Sequence, residues 1–98
     1  MSRKLIVRPI AEEEMGEAKK WYSERSPEAG EKFARHIKQV IEEFLRHPKR
    51  FPIRLGDVRE APVPDFPYCI YYRDIPARIV VVAVYHQSRN PDNLASRH

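Results

Sequence analysis

The sequence has one cysteine, three glycines and no long hydrophobic run among its 98 residues. Cys69 has no second cysteine to pair with, so an intramolecular disulfide and a cysteine metal cluster are both excluded. The glycines are scattered, which excludes a glycine-rich phosphate loop. The N-terminus lacks the apolar stretch of roughly 7–15 residues that a signal peptide needs, and no run approaches the ~18 residues that cross a membrane. We therefore expect a cytoplasmic protein without a bound metal or cofactor.

Positive charge is in slight excess and is spread unevenly. The chain has 18 basic and 14 acidic residues, for a net charge of +4. Residues 1–10 carry +3, residues 11–46 carry −2 and residues 47–98 carry +3. A basic region suits an acidic protein partner or nucleic acid, and an ordinary soluble surface with extra arginine fits the charge equally well.

The first half of the chain predicts a strand followed by a helix. Residues 4–8 are mostly apolar and contain two β-branched side chains, as in a strand. Pro9 and the glutamates of residues 12–14 predict the start of a helix that runs to about Arg25, because acidic side chains favour the positive end of a helix. Its apolar face is formed by Ala11, Met15, Ala18 and Tyr22.

A second helix is predicted to follow almost at once. Ser26, Pro27 and Glu28 provide a cap, a first-turn proline and a first-turn acid. The helix is expected to end near His47, because Pro48 disfavours helix in the residue before it. Its apolar stripe is formed by Phe33, Ile37, Val40, Ile41, Phe44 and Leu45. With so short a connection, the two helices should form an antiparallel hairpin.

Beyond Pro48 the apolar pattern changes to a period of two. Residues 58–61 predict a second strand, residues 68–73 a third and residues 78–86 a fourth, with a hairpin loop before the fourth. The uninterrupted apolar run of residues 78–86 indicates a central strand that is covered on both faces.

The predicted order is therefore β-α-α-β-β-β, in one domain that spans residues 1–98. A helical hairpin packs on one face of a small antiparallel sheet, which is an α+β two-layer fold. Two helices leave the other face of the sheet at least partly open, and that face is the expected place of function.

Candidate functional residues lie at the ends of the predicted strands. Alternation along residues 68–73 places Arg73 on the open face, with Tyr68, Ile70 and Tyr72 toward the helices. A histidine beside an arginine, as in His86 and Arg89, can perform acid–base chemistry on a phosphodiester. The same two residues fit an ordinary turn, which their spacing alone favours.

An aromatic residue of the first helix is a further candidate. Trp21 lies just off the apolar face of the first helix, where it fits either the edge of the core or an anchor for a partner. His36 and His47 have no partner at metal-ligand spacing, so no metal site is predicted. Direct DNA binding is not predicted either, since no helix carries a dense basic face.

Several segments together resemble the RelE/ParE toxin superfamily, and within it the ParE-like branch of plasmid stabilisation proteins. They occur in the family's order and cover nearly the whole chain. The segments are Trp21-Tyr22, residues 26–33 (SPEAGEKF), His47-Pro48, residues 66–73 (FPYCIYYR) and residues 82–91 (VAVYHQSRNP).

The resemblance implies a bacterial toxin that a co-encoded antitoxin holds inactive in a hetero-oligomer. RelE-like members cleave mRNA on the ribosome without a metal, whereas ParE-like members inhibit DNA gyrase and are not nucleases. Cys69 stands where an arginine is common, Arg59 is the one basic residue of the second strand, and Ala95 or a neighbour replaces a late tyrosine. Only Arg89 and His86 match positions of the catalytic type, which favours the ParE-like function.

Three hypotheses remain open. In the first, the chain binds and inhibits DNA gyrase, no residue is catalytic, and Arg59, Arg73 and Arg89 form a basic surface that acidic antitoxin residues cover. Trp21, Tyr85 and His86 are further contact candidates. In the second, the chain is a ribosome-dependent endoribonuclease with His86 as acid or base and with Arg73 and Arg89 stabilising the phosphorane. In the third, it is a non-toxic partner that acts only in the antitoxin complex and its autoregulation.

Overall fold

The computed structural model describes residues 4–97, which form five strands and two long helices. In chain order these are β1 (Lys4–Val7), α1 (Pro9–Arg25), α2 (Pro27–Arg46), β2 (Ile53–Leu55), β3 (Val58–Pro62), β4 (Tyr68–Ile75) and β5 (Arg78–His86). A short 3-10 helix follows at Pro91–Ser96. The α+β architecture is confirmed, and the sequence had not indicated β2 or the 3-10 helix. No helix in the described part of the chain is long and apolar enough to cross a membrane.

The sheet is mixed, and the prediction of an antiparallel sheet is wrong. Its strand order is β1-β5-β4-β3-β2, with β1 parallel to β5 and the other pairs antiparallel. The short strand β2 explains the difference. Strand β2 runs opposite to β1. The chain reverses direction three times between β2 and β5, so β5 runs parallel to β1. Without β2 there would be two reversals, and the last strand would run opposite to the first.

The helical hairpin turns at a single residue. Ser26 ends α1 and caps α2, where its Oγ accepts a hydrogen bond from the N–H of Ala29 at 3.4 Å. Pro27 occupies the first turn of α2, where its missing N–H costs no hydrogen bond. The helices approach closely at Gly30, whose missing side chain leaves room for Ser23.

The main core lies between the hairpin and one face of the sheet. Ile70 and Tyr72 point into it from β4, with Tyr68 packed at its edge, so the predicted helix-facing set of this strand is confirmed. The Tyr72 ring stacks on Phe44 of α2, with 4.0 Å between ring centroids. Apolar burial of this kind is the main stabilising contribution to the fold.

Strand β5 is the central strand, as predicted, and its residues 79–85 are all buried. The pairing shifts between Tyr71 and Tyr72, which face Ala83 and Val81 respectively. Val82 is the extra residue of this β-bulge, and it points with Ala83 into the core of the second sheet face.

The second sheet face is covered in part by the C-terminal segment. Leu94 of the 3-10 helix is fully buried there. The apolar residues around it are Val58, Cys69, Tyr71, Val80, Val82, Ala83 and Tyr85. The face that the sequence left open is therefore occupied over the area that Leu94 covers.

Candidate functional site

A cleft of about 550 Å³ opens between α1 and the neighbouring ends of β4 and β5. It brings together four of the six contact candidates from the sequence: Trp21, Tyr85, His86 and Arg89. The remaining lining residues are Glu14, Glu17, Ala18, Tyr22, Pro67, Tyr68 and Val84. Aromatic rings and a few charged groups therefore surround one concave surface, the usual composition of a binding site.

Glu14 organises the floor of this cleft. Strand β1 ends at Val7, which pairs with Val81, so no strand among residues 4–97 pairs with this edge of β5 beyond that point. The N–H of Val84 on this edge donates to Glu14 Oε1 at 3.1 Å. The same carboxylate accepts from Arg89 Nη1 at 3.3 Å and from Arg97 Nη1 at 2.9 Å. One acid thus links α1, β5 and the C-terminal segment.

Two guanidinium groups stack on aromatic rings of the cleft. The guanidinium carbon of Arg25 lies 3.4 Å from the ring centroid of Trp21, and that of Arg89 lies 4.0 Å from the ring centroid of Tyr85. The Trp21 side chain is 49% exposed, although tryptophan is among the side chains that gain most from burial. The exposed Arg25–Trp21 stack offers a partner a flat apolar contact beside a positive charge.

His86 is held as a hydrogen-bond acceptor at Nδ1. The N–H of Ser88 donates to this nitrogen at 3.0 Å, and Ser88 Oγ lies 2.8 Å from it. A backbone N–H can only donate, so in the neutral imidazole the proton is on Nε2. In this arrangement His86 presents an N–H donor at Nε2, and the lone pair of Nδ1 accepts from Ser88.

Tyr85 is a structural residue of the cleft wall. Its side chain is buried, and its hydroxyl donates to Asn93 Oδ1 at 3.1 Å. The guanidinium carbon of Arg97 also lies over this ring, at 5.1 Å. The sequence had indicated Tyr85 as a contact candidate, and the structure shows it holding the C-terminal segment against β5.

Arg73 lies at the far end of the sheet from the cleft. It is on the second sheet face, as predicted, opposite Val80 of β5. His86 lies six positions after Val80 on β5, which corresponds to about 20 Å along a strand. Arg73 makes a two-nitrogen contact with Asp57, with Nε 3.0 Å from Oδ1 and Nη2 2.8 Å from Oδ2. These hydrogen bonds raise the pKa of the Arg73 guanidinium. They also hold Asp57, and with it the turn before β3, against β4.

Arg59 points to the helix side of the sheet, opposite Tyr72. Its Nη1 donates to the carbonyl of Phe51 at 2.7 Å and to that of Lys49 at 3.3 Å. Arg59, Arg73 and Arg89 therefore do not form one continuous basic surface. The three residues lie on two faces of the sheet and at opposite ends of it, and each has an internal partner.

Cys69 is buried on the second sheet face, directly opposite Tyr85. Burial, together with the nearby Glu60 carboxylate, raises the pKa of the Cys69 thiol. The side chain is therefore a neutral, inert member of the core. It does not offer the positive charge that an arginine would place at this position.

Glu14, Arg25 and Arg97 are the site residues that sequence reasoning missed. Glu14 was interpreted only as a first-turn acid of α1, and nothing in the pattern connected it to Arg97, which is 83 residues away. Within the described residues, no group of three or more His, Cys, Asp or Glu side chains is placed to hold a metal ion.

Comparisons with known proteins agree with this architecture. The family model described as "ParE toxin of type II toxin-antitoxin system, parDE" matches residues 5–91. No curated protein matches the chain. A solved structure described as "Chromosomal ParDE TA system from P. aeruginosa" matches with a TM-score of 0.76 and 15% sequence identity, over 87% of this chain and 96% of that one. At so low a sequence identity, the structural match shows a shared fold alone. Because the family model covers most of its length, the chain belongs to the ParE toxin family of type II toxin–antitoxin systems.

Proposed function

We propose that this toxin acts by binding DNA gyrase through the cleft beside α1, and that it does not cleave RNA. The observation that carries the proposal is the placement of the candidate residues. Trp21, His86 and Arg89 surround one cleft, whereas Arg73 lies about 20 Å from His86 along the sheet. The groups therefore form a binding surface and do not converge on one scissile bond.

The chemistry of the cleft is poorly suited to phosphodiester cleavage. A general base must reach the attacking hydroxyl with a free lone pair, and His86 Nδ1 already accepts from Ser88. The sequence suggested Arg73 and Arg89 as catalytic cations. Of these two, only Arg89 lies near His86, and it forms an ion pair with Glu14. A phosphorane needs several positive groups directed at one point, because cooperating catalytic groups are strongly non-additive.

The same cleft is well suited to holding a protein partner. Tryptophan and arginine are the residues that most often dominate binding energy at protein interfaces. Trp21 is half exposed at the rim, and the Arg25 and Arg89 guanidinium groups lie over neighbouring rings. An apolar side chain of the partner can cover Trp21 while a neighbouring carboxylate pairs with Arg89, a combination that provides both affinity and orientation.

Membership of the family implies an antitoxin partner. We propose that the antitoxin neutralises the toxin by covering this cleft, with an acidic residue placed near Arg89. Competition for one surface would explain how a bound antitoxin prevents binding of gyrase. The resulting complex is a toxin–antitoxin hetero-oligomer.

The proposal is tested by two assays with purified protein. In the first, DNA gyrase supercoils a plasmid while the toxin concentration is raised, and we expect loss of supercoiling with accumulation of cleaved DNA. In the second, translating ribosomes are incubated with the toxin, and we expect the mRNA to remain intact. Cleaved mRNA together with unaffected gyrase would establish the nuclease alternative, and His86→Ala should then abolish growth arrest. No effect in either assay would favour the non-toxic partner.

A further inference from the structure

Residues 46–54 carry a concentration of positive charge that is separate from the cleft. This stretch, the basic segment, has four formal positive charges and no acidic residue: Arg46, Lys49, Arg50 and Arg54. Since the chain has 18 basic and 14 acidic residues, the other 89 residues balance at 14 of each. The charge of the basic segment therefore equals the net charge of +4 of the whole chain.

The fold fixes the main chain of the basic segment from inside. The Tyr72 hydroxyl donates to the Pro48 carbonyl at 2.7 Å. Arg59 Nη1 donates to the carbonyls of Lys49 and Phe51, and the Phe51 ring packs edge-on against Tyr72. A ligand that contacts this segment does not have to order the backbone first, which reduces the entropic cost of binding.

Three of the cations, Arg46, Lys49 and Arg50, line a shallow depression of about 630 Å³, and the fourth, Arg54, follows on β2 outside it. Arg46, Lys49, Arg50 and Arg54 are all exposed. Two surface pairs partly offset the charge: Arg50 Nε lies 2.9 Å from Glu43, and Arg54 Nε lies 3.9 Å from Glu60. Pairs as exposed as these contribute little and are easily exchanged for another anion.

Stabilisation of the helix end does not account for the whole segment. Basic residues favour the negative end of a helix, but the effect is confined to the last turn. Arg46 is the basic residue in the last turn of α2. Lys49 and Arg54 lie beyond the helix, and Arg54 is in β2.

We infer that the basic segment binds the phosphodiester backbone of nucleic acid without recognising its sequence. Affinity for a phosphate backbone comes mainly from the positive charge of lysine and arginine side chains, whereas protein interfaces have an apolar or aromatic centre. Ile53 is the single large apolar side chain of the segment that is exposed. The cations are on a connection and not on a helix, so they can follow a backbone but are not placed to read base edges in a groove.

The inference goes beyond the proposed function and does not rest on it, because it is measured without gyrase. Fluorescence anisotropy with a short labelled DNA duplex should give a dissociation constant of about 10⁻⁴–10⁻⁶ M at physiological salt. The logarithm of the association constant should fall with the logarithm of salt concentration with a slope of about −3 to −4, since each neutralised phosphate contributes roughly −0.9. No detectable binding even at low salt would overturn the inference.

A charge-matched pair of variants tests the location. Lys49→Glu with Arg54→Glu should weaken binding and reduce the salt slope by about two. Lys20→Glu with Lys38→Glu changes the net charge equally at exposed positions of α1 and α2 and should bind like the unaltered protein. Equal losses in both variants would mean that only net charge matters, which contradicts a localised site. If the Glu variant does not fold by circular dichroism, Lys49→Gln with Arg54→Gln takes its place.

Competitors test the ligand class. An RNA duplex of the same length that displaces the labelled DNA would support backbone recognition and extend it to both nucleic acids. Failure of the RNA duplex to compete would restrict the site to the DNA backbone. Poly-glutamate that competes as well as DNA at equal charge concentration would instead assign the segment to an acidic protein partner and overturn the inference.

Discussion

Glu14 of α1 and Arg97 near the C-terminus form an ion pair that joins residues 83 positions apart in the sequence. Arg97 Nη1 lies 2.9 Å from Glu14 Oε1 and 3.0 Å from Oε2, and the two side chains are 14% and 15% exposed. The carboxylate also accepts from the Val84 N–H and from Arg89. The pair therefore fixes both the C-terminal segment and the floor of the cleft.

Removal of the Glu14 carboxylate should destabilise the fold. Glu14→Ala leaves the Val84 N–H without its acceptor and Arg97 without its counter-ion, and we expect a loss of about 2 kcal/mol in the free energy of unfolding. Glu14→Gln keeps an acceptor for Val84 and should lose about half as much. Urea unfolding measures both. Glu17→Ala, at an exposed position of the same helix, is the control, and an equal effect at Glu17 would contradict the role of Glu14.

The two helical glycines should respond in opposite directions to alanine. Gly16 is exposed in the middle of α1, and a Cβ added there would have no atom within 4 Å, so Gly16→Ala should stabilise the fold by about 1 kcal/mol. A Cβ at Gly30 would fall on Ser23 Oγ and lie 2.9 Å from Ser23 Cβ. Gly30→Ala should therefore destabilise by about 1–3 kcal/mol. Thermal melts measure both changes, and an unchanged melting temperature in Gly30→Ala would show that α1 moves aside freely.

Stability should decline in alkaline solution. Burial, followed by the hydrogen bond to Glu60, raises the pKa of Tyr71 above its ordinary value of about 10. Above pH ~10 the tyrosine of the unfolded chain releases a proton that Tyr71 of the folded chain retains. The contribution of Tyr71 to stability is therefore complete below pH ~10 and falls as the pH rises further. Unfolding curves at increasing pH should show this decline, and Tyr71→Phe should reduce it. An identical decline in Tyr71→Phe would argue against this origin.

Antitoxin affinity should depend on Arg89 and not on Arg73. Arg89 is exposed at the cleft, so Arg89→Glu should weaken the toxin–antitoxin complex by about tenfold or more, measured by calorimetry with the co-encoded antitoxin. Arg73 is already paired with Asp57 at the other end of the sheet, so Arg73→Glu should lower stability and leave affinity unchanged. Affinity that is lost at Arg73 and kept at Arg89 would place the antitoxin on a different surface.

Most of the fold could be predicted because local signals and periodicity agree. Pro9, Ser26 and Pro27 mark the helix starts, and the apolar run of residues 78–86 marks the central strand. The missed strand β2 has three residues with little burial, too short for any periodicity to be visible. The parallel pairing of β1 with β5 was missed with it, because the relative direction of these strands depends on the number of strands between them.

The candidate site was less predictable, because contacts between residues that are distant in the sequence determine where its side chains lie. Strand ends identified His86 and Arg89, and the helical face placed Trp21 beside the apolar stripe of α1 without deciding whether it is exposed. The pairing of Arg73 with Asp57, the inward direction of Arg59 and the burial of Leu94 depend on which strands lie beside one another. Such contacts leave no periodic trace in the sequence, since each joins residues that are distant in it.

The central claim is that the toxin inhibits gyrase through the cleft at Trp21, and a supercoiling assay with two matched variants tests it most directly. Trp21 and Ile10 are both large apolar side chains of α1 that are nearly half exposed, and Ile10 does not line the cleft. The unaltered protein and Ile10→Ala should abolish supercoiling at the same concentration, whereas Trp21→Ala should require at least about tenfold more. Supercoiling that persists at a large excess of the unaltered protein, or inhibition by Trp21→Ala at the unaltered concentration, would contradict the claim.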